Sequence, residues 1–393
     1  MKKMTAVIAL MSVFSLAISF IILGSVSVEL MAALGIDEGQ FGTLIMALFL
    51  TCCVVQLIIG PLVDKFGYKP IAILGFVVTG ASLFLLASAS TFSAAMLACI
   101  LLGVGAMCLN TVGNTLIPVV LFEGKDPARA SNLGNAFFGL GYVLTPILFV
   151  FFLKSLELSY RTSVSILGAL MVVFLLFAFG TKFPRAATGY KFSMALKVLG
   201  KPAVLVAALA LICYMSLETS MGNWTKPLMT QLYGGAEAPG AVTKAGYVLG
   251  LFGAAMMLGR FLASTMKNLT AKGPRIIMLT SLISAIAIVA LSLTKSPALA
   301  LAAIVVTGLA FAPIFPTIVG VTFAKFEPRL YGSIFGIIFA IGLLGATFVP
   351  KFIGNLSAGK SVQAGLPVAA VMAGILFVIS LFIGKVGRPA KTE

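Results

Sequence analysis

The stretch GPLVDKFGYKP, residues 60–70, places Asp64, Lys65 and Lys69 directly after a long apolar run and beside Gly60, Pro61 and Gly67. Charges beside glycine and proline in so apolar a chain mark a short connection between two buried segments. The flanks agree. Upstream, residues 40–61 are almost free of charge, and downstream the same holds for 70–90. Each is long enough for a membrane helix, which needs about 20 mainly apolar residues.

Worked outward in both directions, the same punctuation recurs along the whole chain. It predicts twelve spans, from 4–34 at the N-terminus to 362–385 at the other end, among them 93–121, 128–154, 202–225, 244–266, 297–323 and 330–350. Of the 393 residues, 60% are hydrophobic and 10% charged, whereas a soluble domain is about a quarter charged. The N-terminal apolar run continues to Val28, past the usual length of a cleavable signal, and reads as an uncleaved first span.

The net charge of +16 does not form a basic face interleaved with aromatics, which argues against nucleic acid. Twenty of the 27 basic residues fall in the segments on the side of the termini and seven on the other. Such a bias places both termini in the cytoplasm, and hence the chain in the inner, cytoplasmic membrane. The five cysteines lie in apolar runs and the chain has no histidine. That gives no support to a zinc site or a redox pair, and no cofactor is expected.

The longest basic connection, 182–201, divides the chain into an N-terminal bundle of six spans (1–181) and a C-terminal one (202–393). The halves echo one another: in FEGKDPARASNLGNAFFGLG (122–141) and FAKFEPRLYGSIFGIIFAIG (323–342), Pro127 matches Pro328, Phe138 matches Phe339 and Gly141 matches Gly342. Repeated halves in a membrane chain point to an alternating-access transporter with its substrate near the midplane. The expected fold is all-α, with twelve transmembrane helices in two pseudo-symmetric bundles of six, as a monomer in the lipid bilayer.

With these features in view, 60–70 resembles the loop signature Gly-x-Leu-x-Asp-x-x-Gly-x-Lys of the major facilitator superfamily, matched by Gly60, Leu62, Asp64, Gly67 and Lys69. The resemblance implies that Asp64 docks against the eleventh span as a gate latch. With the basic Arg129, the gating set is Gly60, Asp64, Gly67, Lys69 and Arg129. YMSLETSMGNW (214–224), LGRFLAS (258–264) and NLGNAFFGLG (132–141) are similar to stretches of the fucose/glucose/galactose:proton symporter branch, which implies sugar–proton symport. Asn110 stands where proton-coupled members often carry a carboxylate.

Of the eleven acids only Glu29 and Glu218 lie inside apolar spans, where a charge costs roughly 2.5–3.5 kcal/mol and marks a function or a partner. Both are candidates for proton coupling. Glu218 either faces a central cavity or makes a structural hydrogen bond. Glu29 either couples protons or is a solvated carboxylate at the interface. Asn110, Asn135, Tyr142, Tyr214, Glu218 and Trp224 are the candidate substrate-binding residues. Amides serve hydroxyl groups as donors and acceptors, and equally well join helices. Asn114 reads as such glue, and Trp224 as an interfacial belt residue or an aromatic lid. Lys226 reads as solvated, and Arg161 and Arg260 lie at span ends. With no cation inside a span, the solute is expected to be small and neutral, a monosaccharide foremost. An uncoupled uniporter and an exporter of hydrophobic, drug-like or lipid-like compounds are the alternatives. No nucleophile–base pair suggests an enzyme, and no phosphate-binding loop suggests ATP-driven pumping.

Overall fold

The computed structural model describes residues 2–121, 127–184, 191–264, 269–326 and 330–386. Among these the chain is helical throughout, with no strand. Six helices form the N-terminal half: α1 (Lys2–Leu34), α2 (Glu38–Phe66), α3 (Tyr68–Ser88), α4 (Phe92–Val120), α5 (Pro127–Lys154) and α6 (Tyr160–Gly180). A short helix α7 (Phe192–Leu199) lies in the central connection. The second half comprises α8 (Pro202–Leu232), α9 (Ala241–Ser264), α10 (Leu269–Leu293), α11 (Pro297–Phe311), α12 (Ile314–Phe323), α13 (Tyr331–Ser357) and α14 (Leu366–Ile383). Among the described residues, twelve segments are long and apolar enough to cross a membrane, α11 and α12 counting together as one. The chain is a multi-pass membrane protein.

Polar residues just outside the apolar runs start several of these helices. Asp37 and Gln40 form a reciprocal capping box at α2, with Gln40 N donating to Asp37 Oδ1 at 2.7 Å. Thr91, Ser159 and Ser296 cap α4, α6 and α11. Such caps satisfy amides that the first helical turn leaves without a partner.

Three expected boundaries move. The second span was expected to stop at Pro61, but α2 carries Pro61 within it and runs on to Phe66. It ends at Gly67, whose φ of 84° suits a residue without Cβ. Asp64 and Lys65 therefore sit on the last helical turn rather than in a loop. The seventh span, expected to end at 225, continues as α8 to Leu232. The tenth, expected as one helix over 297–323, breaks between Phe311 and Ile314, at Pro313, whose ring cannot support the helical bond of the turn before it.

The two halves repeat each other's packing. Helices α1, α4 and α5 surround one another in the first half as α8, α12 and α13 do in the second, and α3 pairs with α6 as α10 pairs with α14. The repeat extends to atoms. A Cβ on Gly103 would lie 2.6 Å from the Leu48 carbonyl oxygen, and one on Gly308 would lie 2.8 Å from that of Phe252. Both glycines let two backbones touch, as small residues do in membrane helices. The halves meet along α2 with α13, α5 with α9, and α1 with α8.

Candidate functional site

Between the halves lies a cavity of about 70 Å³, small beside the roughly 300–1,000 Å³ of ordinary ligand pockets. Its first-half wall consists of Val13, Leu16 and Phe20 from α1, Asn110 and Asn114 from α4, and Gly134, Asn135 and Phe138 from α5. Met215 and Glu218 from α8, Arg260 from α9, Phe315 from α12, and Phe335 and Phe339 from α13 complete it.

The polar side chains of the first-half wall, three asparagines, are uncharged. Asn114 Nδ2 donates to Asn110 Oδ1 at 2.8 Å, and Asn110 Nδ2 donates to Gln56 Oε1 at 2.9 Å. Facing it is an ion pair. Arg260 Nη2 lies 3.2 Å from Glu218 Oε1 and 3.4 Å from the Tyr214 hydroxyl, which it reaches with the same nitrogen. The guanidinium rests over the Phe138 ring, 5.8 Å from its centroid, in the manner of a cation on an aromatic face. Phe335 and Phe339 stack at 5.4 Å, with Phe315 edge-on to Phe339.

Helix direction explains why Arg260 is there. It lies in the last turns of α9, near the end of the bundle that carries the chain termini. A helical side chain leans back toward the N-terminus of its own helix, which for α9 means inward. Glu218, on the antiparallel α8, leans the opposite way. The two long side chains converge.

At the end far from the termini a second ion pair joins the halves. Lys226 Nζ on α8 donates to both carboxylate oxygens of Glu29 on α1, at 2.8 and 2.6 Å, and to the Ser25 carbonyl. Lys226 is 1% exposed and Glu29 16%. Beside them Gly24 lies so close to Gly222 that a Cβ would overlap its carbonyl oxygen. Trp224 Nε1 donates to the Pro350 carbonyl at 3.1 Å, its ring edge-on to Phe41, and Lys351 Nζ donates to Gly39 O at 2.7 Å. The halves are thus closely joined at this end.

A profile of the Major Facilitator Superfamily matches residues 8–350. The chain belongs to the major facilitator superfamily. Solved structures of the same fold include a D-xylose–proton symporter (TM-score 0.81, 13% identity, 99% of this chain and 98% of that one). The nucleoside transporter NupG is similar at TM-score 0.77 and 15% identity, over 97% and 100% of the two chains. A bacterial homologue of the human lysosomal transporter Spinster, inward-facing and occupied, gives 0.72 and 15%, over 97% and 96%. No curated protein matches the sequence significantly.

Within this facilitator the sequence-derived residues separate into groups. Asn110, Asn135 and Glu218 come together in the cavity. Tyr214 is fully buried behind them, holding Arg260. Tyr142 is buried between Phe138 and Phe252 and outside the cavity lining. Trp224 is neither a belt residue nor a lid, since it is fully buried at the far end. Its indole N–H needs an acceptor away from water and takes the carbonyl that precedes Lys351. Lys226, expected in solvent, is buried because Glu29 and a backbone carbonyl replace its water shell.

The gating candidates lie at the end bearing the termini. Gly60 is buried within α2, and Asp64 is exposed on the last turn of that helix. Lys69 donates to the Phe179 carbonyl at 2.7 Å, at the C-terminus of α6, where a cation is favoured. The Arg129 side chain and residues 327–329, at the foot of the eleventh span, lie outside the described residues. The expectation of spans without an internal cation does not hold: Arg260 lines the cavity. Its place near the end of α9 was the only sequence signal, and that leaves open whether the side chain turns outward or back along the helix.

Proposed function

We propose that this chain is a secondary transporter of a small hydroxylated solute of monosaccharide size, coupled to protons through Glu218. One observation carries the reading: the amides of Asn110, Asn114 and Asn135 face the Glu218–Arg260 pair across a single cavity between the two halves, walled by phenyl rings. Amides and charged groups suit hydroxyls, and ring faces suit the C–H faces of a sugar. A carboxylate that borders a cavity and has a releasable partner is suited to carry a proton. The small cavity volume fits a closed-down stage of alternating access, in which the halves rock about the site.

In this reading both termini are cytoplasmic and the chain resides, as a monomer, in the inner membrane. The joined far end then faces outward, and Glu29 serves the closure of that end rather than the proton path. Asp64, with Gly60, Gly67, Lys69 and Arg129, forms the gate at the cytoplasmic end.

The test is uptake of radiolabelled monosaccharides, hexoses and hexuronates, into proteoliposomes with and without an inward proton gradient, for wild type and Glu218→Gln. Gradient-stimulated uptake that disappears in the variant is expected. Uptake indifferent to the gradient would replace symport by uniport. Absence of solute flux, with expulsion of hydrophobic dyes, would replace the proposal by an exporter, for which the five phenyl rings of the lining would provide the surface.

A further inference from the structure

We propose that the solute of this cavity is a sugar-sized hydroxy acid, its carboxylate bound by Arg260 while Glu218 takes up one proton. The inference rests on the reading above that Glu218 is the proton carrier, and adds the charge of the solute to it.

The ion pair is a loose one. A single guanidinium nitrogen serves both Glu218 and Tyr214, at 3.2 and 3.4 Å, where charge-assisted bonds run about 2.7–2.9 Å and the guanidinium fork can grip a carboxylate through two of them. Both partners reach the cavity, with side chains 17% and 15% exposed. A second carboxylate entering there finds a cation that is only partly engaged.

Charge balance then decides which solute suits proton coupling. If Glu218 is protonated while a neutral sugar is bound, Arg260 is left as an unpaired cation among phenyl rings. Once a bound solute displaces the water that reaches the pair in the empty cavity, leaving one of its members uncompensated is unfavourable. A carboxylate solute supplies the missing charge. Conversely, two carboxylates beside one guanidinium repel each other, and this drives the displaced one to take a proton.

The step balances as follows. One proton moves from the medium to Glu218, one anion replaces Glu218 on Arg260, and the net charge of the cavity does not change. Among the described residues, the other titratable groups facing Glu218 are Tyr214 on its own helix and Tyr142 on α5. Helix α4 presents Asn110 and Asn114, α5 Asn135, and α12 and α13 only phenyl rings. Nothing else there offers to neutralise Arg260. The amides remain for the hydroxyl groups of the solute.

The experiment compares radiolabelled glucuronate and glucose in proteoliposomes of the full chain, under a pH gradient (alkaline inside) or a valinomycin-imposed potential. Glucuronate should accumulate under the pH gradient, at least about tenfold faster than glucose, and ignore the potential. Wild-type protein in detergent should take up one proton per glucuronate bound. Its affinity should then rise by about tenfold per unit fall in pH while the free protein's Glu218 is ionised. Arg260→Gln should lose glucuronate transport, whereas Glu218→Gln should keep glucuronate exchange but not gradient-driven accumulation. The proton-uptake measurement needs no variant to fold.

Gradient-driven glucose uptake with glucuronate ignored would overturn the acid assignment and leave the symport of a hydroxylated solute standing. Glucuronate binding without proton uptake, or uptake driven by the potential, would overturn the exchange on Arg260. Movement of neither solute would remove both readings.

Discussion

Among the described residues, two carboxylate–cation pairs bridge helices, and they are built differently. At the far end Lys226 is 1% exposed, holds both oxygens of Glu29 and also takes the Ser25 carbonyl. In the cavity Arg260 offers one nitrogen to Glu218 at 3.2 Å, and both side chains keep some exposure. The first spans the two halves, from α1 to α8. The second lies within one half, from α8 to α9. A pair whose cation is buried and multiply bonded across the interface acts as a fastening. A loose pair that water can reach remains able to change partners. The repeat sharpens the contrast, because Lys226 and the Ser25 carbonyl are 201 residues apart, the same offset that aligns the halves in sequence. The fastening therefore sits where equivalent parts of α1 and α8 meet.

Breaking the fastening should have the largest effect on the closed conformation. Glu29→Gln leaves the buried Lys226 unpaired, and about 3 kcal/mol of the far-end closure should be lost. Spin labels at Ser90 and Lys295, on exposed far-end loops of the two halves, would then show a longer distance. An unchanged distribution would mean that the pair does not hold the halves together. The double variant Glu29→Met with Lys226→Met should recover much of the loss, since apolar replacements of a buried pair are often neutral.

Next comes Gly24→Ala, whose methyl meets the backbone of Gly222. Overpacking of this kind costs about 1–3 kcal/mol, and the same labels would report it, alongside a lower melting temperature. Glu218→Gln should be milder for stability, below about 1 kcal/mol, because the cavity pair is long and partly solvated. Its consequence lies in transport, where gradient-driven uptake should vanish while the melting temperature barely moves. A large drop in melting temperature would make the cavity pair a fastening too, and would collapse the comparison.

Asn114→Ala should matter least to folding, at about 0.6 kcal/mol for a hydrogen bond between membrane side chains. Any larger effect belongs in the apparent affinity for solute, measured by half-saturation of uptake.

The family was readable from residues 60–70 and the repeat from 122–141 and 323–342, while the twelve spans were readable along the whole chain because hydrocarbon imposes length and composition on each helix separately. Gly67 was readable as a turn for the same local reason. The cavity was readable only in part. Asn110, Asn135 and Glu218 stand out as polar groups in apolar spans. Arg260 did not, since a cation near a span end looks the same whether its side chain turns out to the headgroups or back along its helix.

Trp224 and Lys226 show the same limit from the opposite side. Both lie near the end of an apolar run, where tryptophan and lysine ordinarily meet the interface, and both are buried by helices far away in sequence. Hydropathy and spacing decide how many times the chain crosses and where each crossing begins, since those are properties of one segment against its solvent. Helix rotation and partners decide which charges pair, which carbonyl a buried ammonium finds and which side chains share a cavity. Those depend on contacts such as Ser25 with Lys226 and Pro350 with Trp224, between segments that no local pattern connects.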